Sequence, residues 1–270
     1  MRKNYGSGRA LRLLVVLLLG CLPMTAMAQH EGDWFYLVKT EPSDPAREAE
    51  FNAWYDDIDI PDVLAVPSFK RARRAVGQVV SEFPSVRLKS DDGKYVALYD
   101  IATGDIDKSI IDLYVAARKM SALGRLTDVL RVVEANYYRR VNAYDVEQRG
   151  SAGQQEFVYI QKILCCNNAA TETEYRDWFG NVYVPAMRGV NGLSRIGFYE
   201  LYRIMEELAV GPEEIPHRLA VYEIAADSAT EALAGIQTAT QNLEATGRVS
   251  DLHALKDSLL YLQMSDVRSD

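Results

Sequence analysis

The sequence predicts an α+β chain made of two diverged copies of one folding unit, and three observations support this. Segments recur at a nearly constant offset, the predicted strands and helices follow the same order in both copies, and an N-terminal segment outside the copies resembles an export signal. The predicted boundaries are a signal peptide at 1–28, a first unit at 29–150 and a second unit at 151–270.

The internal repeat is clearest around two tryptophans. The pattern E-x-E-[F/Y]-x-x-W-[F/Y] occurs at 48–55 and again at 172–179, an offset of 124 residues. The same offset, or one residue less, relates four further pairs: Pro61 and Pro185, Arg71 and Arg195, Tyr36 and Tyr159, and Tyr99 and Tyr222. Several blocks that share one order and nearly one offset indicate an internal duplication.

Hydrophobic periodicity predicts the same elements in each copy. In the first copy we expect strands at 34–40, 69–76, 95–102 and 137–144, helices at 46–57 and 106–119, and a loop bracketed by Pro61 and Pro67. The second copy repeats the order, which is βαββαβ, the ferredoxin-like arrangement. Each four-stranded sheet would leave one apolar face uncovered. We therefore expect the two tandem ferredoxin-like repeats to pack sheet-to-sheet as an intramolecular α/β barrel.

The N-terminus has the composition of a secretory signal. Its basic residues are Arg2, Lys3, Arg9 and Arg12, followed by an apolar core at 13–19 that is too short for a stable membrane span. Ala26 and Ala28 then give a cleavage site, so we expect a periplasmic or secreted protein. The alternative is a lipoprotein, because 18–21 is lipobox-like and would leave a lipid on Cys21.

Charge and cysteine content exclude several classes of function. Without 1–28 the chain would carry 26 basic and 38 acidic residues, a net charge of −12, which argues against binding nucleic acid. Cys165 and Cys166 are adjacent and the whole chain has only 3 His, so no metal site is predicted; the bland interpretation of the cysteines is a buried pair of free thiols. Phosphate-loop and nucleophile-elbow motifs are absent from the sequence.

One segment of the first copy resembles a known superfamily. Residues 54–69 read W-Y-D-D-I-D-I-P-D-V-L-A-V-P-S-F and are followed by Arg73 and Arg74. This resembles the dimeric α/β-barrel superfamily, in particular its EthD-like and stress-responsive A/B-barrel branches, whose first helix commonly ends W-Y-x-x-x-H-x-P-x-x-x-x-x-P-G-F. The resemblance implies either cofactor-free enzymes acting on small aromatic compounds, haem enzymes, or members without known activity. Fold alone does not choose among them.

The position where relatives often carry a His is the candidate catalytic position. It is occupied by Asp59 in the first copy and Tyr183 in the second. If this chemistry is kept, Asp59 is the candidate general base, its pKa raised by the neighbouring acids, and Tyr183 is the candidate donor to an oxyanion. The alternatives are a solvated acidic loop around Asp59 and a hydrophobic helix end at Tyr183.

Candidate ligand-binding residues are aromatic and basic side chains that recur in both copies. The tyrosines on strands are expected partly to line an inter-sheet cavity, the tryptophans either to stack on a ligand or to anchor the first helix, and the arginines to form either a carboxylate clamp or surface ion pairs. The set is Tyr36, Trp54, Arg71, Tyr99, Tyr159, Trp178, Arg195 and Tyr222.

Three functions follow from these residues. The first is a cofactor-independent lyase, isomerase or cyclase acting on a small, partly aromatic molecule. The second is a non-catalytic protein that binds such a molecule, and the third is a haem-dependent oxidoreductase, against which the scarcity of His counts. We expect no cofactor, a small aromatic or hydrophobic partner, and either a monomer with internal pseudo-dimer symmetry or a homodimer.

Overall fold

The structure is an α+β fold in which antiparallel strands close into a single barrel. It is a computed structural model, and it describes residues 33–86, 88–89, 92–146, 150–166, 168–205 and 216–269. The predicted export signal and the alternative lipid site at Cys21 lie outside the described residues. Among the described residues, no helix has the length and hydropathy needed to cross a membrane.

The strands and helices follow the order expected from the sequence. The strands are β1 Trp34–Pro42, β2 Phe69–Gly77, β3 Tyr95–Ile101, β4 Leu130–Asp145, β5 Gln155–Leu164, β6 Leu193–Ile204, β7 Arg218–Ala226 and β8 Ala254–Arg268. The helices are α1 Glu48–Trp54, α2 Ile60–Leu64, α3 Ile106–Ala122, α4 Ala169–Trp178, α5 Val184–Met187 and α6 Ala229–Ala245.

The strand order around the barrel is β1-β3-β2-β8-β5-β7-β6-β4. The first-half strands are adjacent in the order β4-β1-β3-β2, and the second-half strands in the order β8-β5-β7-β6. The halves are joined by backbone pairing of β2 with β8 and of β4 with β6. The expected α/β barrel is therefore confirmed, and it closes by backbone pairing at both seams, which leaves no open sheet edge.

The inside of the barrel is a packed core. Every second side chain of a strand points inward, and the inward apolar residues include Phe35, Leu37, Leu98, Tyr138, Ile160, Tyr199, Val221, Leu259 and Tyr261. The rings of Phe35 on β1 and Tyr199 on β6 stack with their centroids 4.7 Å apart. In the barrel these two strands lie on either side of β4. An aromatic-lined cavity between the sheets is thus a wrong prediction. Tyr36 and Tyr159 lie on the opposite face, against the helices.

One end of the barrel interior holds a buried group of three charges. Glu134 on β4 lies 3.3 Å from Lys39 Nζ of β1 and also pairs with Lys162 of β5. Burial opposes ionisation of Glu134, but the two ammonium groups outweigh it and hold its pKa at about 2. Burial lowers the pKa of Lys162, and Glu134 offsets part of that effect. The three side chains therefore behave as one ion cluster.

The first helix of each half continues past the point at which the sequence predicts its end. A π-helical turn, Tyr55–Asp59, links α1 to α2, and the turn Phe179–Tyr183 links α4 to α5. Pro61 stands in the first turn of α2, directly after the π-helical turn, so the predicted loop from Pro61 is wrong. Asp59 and Tyr183 are the last residues of the two π-helical turns.

Thr127-Asp128 and Ser250-Asp251 resemble helix N-caps in the sequence and predict a short helix after each long helix, but no helix forms there in the structure. Thr127 Oγ1 accepts from Val129 N at 3.2 Å, and Ser250 Oγ accepts from Leu252 N at 3.2 Å. Each hydroxyl caps a turn two residues long and not a helix. Cys165 and Cys166 are joined by a disulfide, which corrects the expectation of free thiols.

Candidate functional site

The candidate site lies in the second half, between the sheet and the helices. Tyr159 and Gln161 stand two residues apart on β5, so both face the helix layer. Tyr222 on β7 is directly opposite Tyr159, and Tyr183 reaches the same point from the π-helical turn after α4. All four side chains are buried, with Gln161 only 3% exposed.

These four side chains form one hydrogen-bond network centred on the Gln161 amide. The Tyr222 hydroxyl donates to Gln161 Oε1 at 2.6 Å and lies 3.0 Å from the Tyr183 hydroxyl. Gln161 Nε2 donates to the Tyr159 hydroxyl at 3.2 Å. Because Oε1 and Nε2 are both engaged, the amide is held in one orientation.

A cavity of about 410 Å³ opens beside this network. Tyr159 and Gln161 form part of its wall, α6 forms another part, and Phe83 and Val86 of the first half close over it. Its polar lining includes Thr240 of α6. Leu233, Ile236, Leu255 and Ser258 also line the cavity. This volume and mixed lining are typical of small-molecule sites.

The electrostatics of the network favour neutral phenols. Burial raises the pKa of Tyr222 well above its ordinary value, and Tyr183 beside it adds to the effect. Burial likewise raises the pKa of Tyr159 and Tyr183. At neutral pH all three are uncharged hydrogen-bond groups, so the network itself carries no charge. The charged lining residues of the cavity are Glu244, Lys256 and Asp257.

The corresponding place in the first half contains a carboxylate. The Tyr99 hydroxyl donates to Asp59 Oδ2 at 3.1 Å, and Tyr36 stacks between Tyr99 and Tyr137, with centroids 5.9 and 4.1 Å away. Burial raises the pKa of Asp59 to about 6, against the lowering effect of the Tyr99 hydrogen bond. Asp59 and Tyr183 belong to different halves, so the two predicted catalytic residues do not share one site.

Both tryptophans anchor their helices. The indole Nε1 of Trp54 donates to the Arg125 carbonyl at 2.7 Å, and that of Trp178 donates to the Arg248 carbonyl at 2.7 Å. Each ring thereby ties the first helix of its half to the segment after the second helix. Of the two roles expected from the sequence, the contacts of both tryptophans match helix anchoring and not ligand stacking.

Gln161 and the lining contributed by α6 were missed from the sequence. The repeat contained a signal for Gln161, because this residue stands where the first copy has Val38, at an offset of 123. The equivalent strand position in the other copy holds an apolar side chain. A polar side chain buried at such a position needs a hydrogen-bond partner, which marks the place as unusual. The residues of α6 offered no such signal, since their spacing is that of any amphipathic helix.

Known structures share the fold, at low sequence identity. No protein-family model matches the chain, and no curated protein matches its sequence. An anthrone oxidase-like protein is 10% identical with a TM-score of 0.52, covering 89% of this chain and 95% of that one. A dye-decolorizing peroxidase from Bacteroides thetaiotaomicron is 9% identical with a TM-score of 0.52, covering 87% and 93%. A DypB variant from Rhodococcus jostii RHA1 in complex with heme is 12% identical with a TM-score of 0.51, covering 89% and 96%.

These comparisons correct the first functional expectation. The similar structures are named as oxidase-like and peroxidase proteins, and one of them holds heme. The expected cofactor-independent lyase, isomerase or cyclase is therefore contradicted, and Asp59 loses the role of base in that reaction.

The residues around the cavity do not fit a haem group. The cavity lining contains no His, Cys or Met, the side chains that usually bind haem iron, and its one tyrosine is bonded to Gln161. His253 lies outside that lining, where its Nδ1 is 2.8 Å from the Tyr175 hydroxyl and its ring centroid is 5.1 Å from that of Trp178. No haem step is derived for this chain.

Proposed function

We propose that this chain binds a small, partly aromatic molecule in the 410 Å³ cavity of its second half. The observation that carries the proposal is the Gln161 amide, which lines a pocket of mixed polar and apolar character and is held in place by buried tyrosines. A buried polar network that packing alone does not require is a feature of sites that recognise a polar group.

The chemistry of the lining defines the class of ligand. Leu233, Ile236 and Phe83 would contact an apolar or aromatic body, and burying that surface would supply most of the affinity. Gln161 and Thr240 offer an amide and a hydroxyl to a single hydroxyl or carbonyl group of the ligand. Tyr183 and Tyr222 do not line the cavity; we assign them the role of positioning Gln161.

We also propose that the barrel arose by tandem duplication of one unit, with copies at 29–150 and 151–270. The equal order of strands and helices in the two halves supports this, as do the paired π-helical turns and the matching Trp54 and Trp178 contacts. The assignment to the EthD-like branch rests on residues 54–69 alone. Export to the periplasm or beyond, and a monomeric or homodimeric state, are further parts of this proposal.

A second candidate is an oxidoreductase that oxidises the molecule bound in the same cavity. The observation that favours it is the set of oxidase-like and peroxidase structures that share the fold. Oxygen uptake or peroxide consumption by the purified protein, in the presence of the molecule it carries, separates this candidate from simple binding. Uptake that depends on Gln161 would favour the oxidoreductase.

Native mass spectrometry of the protein purified from its own cells tests the proposal. We expect one small organic molecule per chain in the wild type and a marked loss of that mass in Gln161→Leu, which removes the amide and keeps the side-chain size. Tyr99→Phe, which removes a buried hydroxyl from the helix–sheet layer of the first half, should keep it. Retention by Gln161→Leu would contradict the binding site, and a haem mass would restore the haem-dependent reading.

A further inference from the structure

The end of the barrel opposite Glu134 contains a small basic cavity. It has a volume of about 150 Å³ and is lined by Lys70, Arg71, Arg140, Arg195 and Arg268, with Asp100 as the one carboxylate among its charged lining residues. The strands β2, β3, β4, β6 and β8 contribute these side chains, so both halves of the chain build it. The whole chain has a formal net charge of −8, which makes a basic cavity a local departure from its composition.

Carboxylates around the cavity neutralise only part of this charge. Asp266 accepts two hydrogen bonds from Arg71, at 2.7 and 2.6 Å, and Glu223 pairs with the buried Arg73 at 2.6 Å. Asp100 lies between 3.8 and 4.0 Å from the guanidinium groups of Arg71, Arg73 and Arg140, beyond a hydrogen bond from any of them. Glu156, Asp145 and Asp33 are further acids at this end of the barrel.

Glu223 lies opposite Arg195 in the β6–β7 pairing but forms its close ion pair with Arg73, so carboxylates hold Arg195 only weakly. Its ion pair is with Asp145 at 3.9 Å, and the Asp145 side chain is 91% exposed. Solvent screens a pair of that kind almost completely. Arg268 is exposed and faces the same cavity. Two guanidinium groups at the cavity are therefore available for an anion that comes from solution.

Solution has an open route to these groups. A hollow of about 740 Å³ adjoins the basic cavity, and Arg140 and Arg195 line both. Arg139, Asn142 and Trp34 also line the hollow, together with Asp33 and Asp145, so its surface is polar and carries three arginines against two aspartates. An anion can reach Arg195 from the solvent without any movement of the barrel.

We infer that this cavity binds a small oxyanion, a carboxylate or a phosphate-type group, between Arg195, Arg268 and Arg71. Guanidinium groups present planar pairs of N–H donors that match the oxygen atoms of such anions. Arg71 and Arg195 are related by the 124-residue offset, so the site uses one equivalent arginine from each half. The site is separate from the helix–sheet cavity of the second half and does not depend on the proposed function.

Calorimetric titration of the full exported chain with inorganic phosphate, at constant ionic strength, tests this inference. We expect saturable binding of one phosphate per chain, and about tenfold weaker binding in Arg195→Gln, which corresponds to the loss of one charge-assisted hydrogen bond. Arg131→Gln is the matched control, because Arg131 lies at the opposite end of β4 and pairs with Glu41. It should bind phosphate as the wild type does.

Acetate in the same titration distinguishes the two sources of the oxyanion, since stronger binding of acetate assigns the site to carboxylates. The inference is overturned if neither anion binds saturably, or if Arg195→Gln and Arg131→Gln bind equally well. Equal thermal midpoints for these two variants show that a loss of binding is not a loss of fold. Gln161→Leu should leave phosphate binding unchanged, which keeps this test separate from that of the proposed function.

Discussion

Replacing Glu134 with glutamine is expected to destabilise the protein by about 3–5 kcal/mol at neutral pH. Lys39 and Lys162 are 2% and 7% exposed, and Glu134 is the carboxylate with which both pair. The substitution keeps the shape of the side chain and removes its charge. Two ammonium groups would then remain buried side by side, with only Asp257, which is already paired with Lys89, acting on Lys162 as a counter-charge. The cost of keeping them there is the source of the loss.

Urea unfolding of Glu134→Gln and of Glu41→Gln measures this effect. Glu41 is on β1 near the same end of the barrel and pairs with Arg131, but that arginine side chain is 54% exposed, so its loss should cost less than about 1 kcal/mol. The difference between the two variants should shrink above about pH 10, where free lysine loses its proton. Equal stabilities at neutral pH would show that the cluster contributes nothing.

Replacing Asp59 with asparagine is expected to stabilise the protein by about 2 kcal/mol at pH 7.5 and to have almost no effect at pH 4. Burial raises the pKa of Asp59 to about 6, above the value of a free aspartate. The folded state therefore holds this proton more tightly than the unfolded chain does. The free energy of unfolding therefore falls as the pH rises from about 4 through 6. Above pH 6 the ionised, partly buried carboxylate continues to destabilise the folded state.

The measurement is the free energy of unfolding of wild type and Asp59→Asn at several pH values. Asparagine still accepts the Tyr99 hydrogen bond, so the comparison isolates the charge. Asp57→Asn, at an exposed position of the same π-helical turn, is the control and should follow the wild type at every pH. A destabilised Asp59→Asn at pH 7.5 would mean that the ionised carboxylate is favoured by its surroundings.

Much of the fold could be predicted from the sequence because strands and helices leave periodic patterns. The alternation in β1 and the helical spacing of Phe51 and Trp54 predict elements that the structure confirms to within a few residues. Alternation defines two faces of a strand, but it does not say which of them points into a barrel. Tyr36 and Phe35 are both aromatic, and only closure of the barrel puts Phe35 inside.

The candidate site was less accessible to sequence reasoning. Asp59 and Tyr183 were chosen because they replace a residue that relatives often carry, and both lie in the helix–sheet layer as hydrogen-bond partners of tyrosines. The cavity, however, depends on how α6 and the segment around Phe83 sit against β5. That packing brings together residues far apart in the chain, which local patterns do not record. Their roles in function therefore remain proposals.

The most direct test of the central claim is a fluorescence titration with 2-naphthol, a neutral aromatic molecule with one hydroxyl group. Wild type should bind it saturably, and Gln161→Leu should bind it about tenfold more weakly, because one hydrogen bond to the ligand is lost. Tyr99→Phe, in the first half, should bind like the wild type. Equal binding by Gln161→Leu and wild type, or a loss of binding in Tyr99→Phe alone, would contradict a ligand site in the second half.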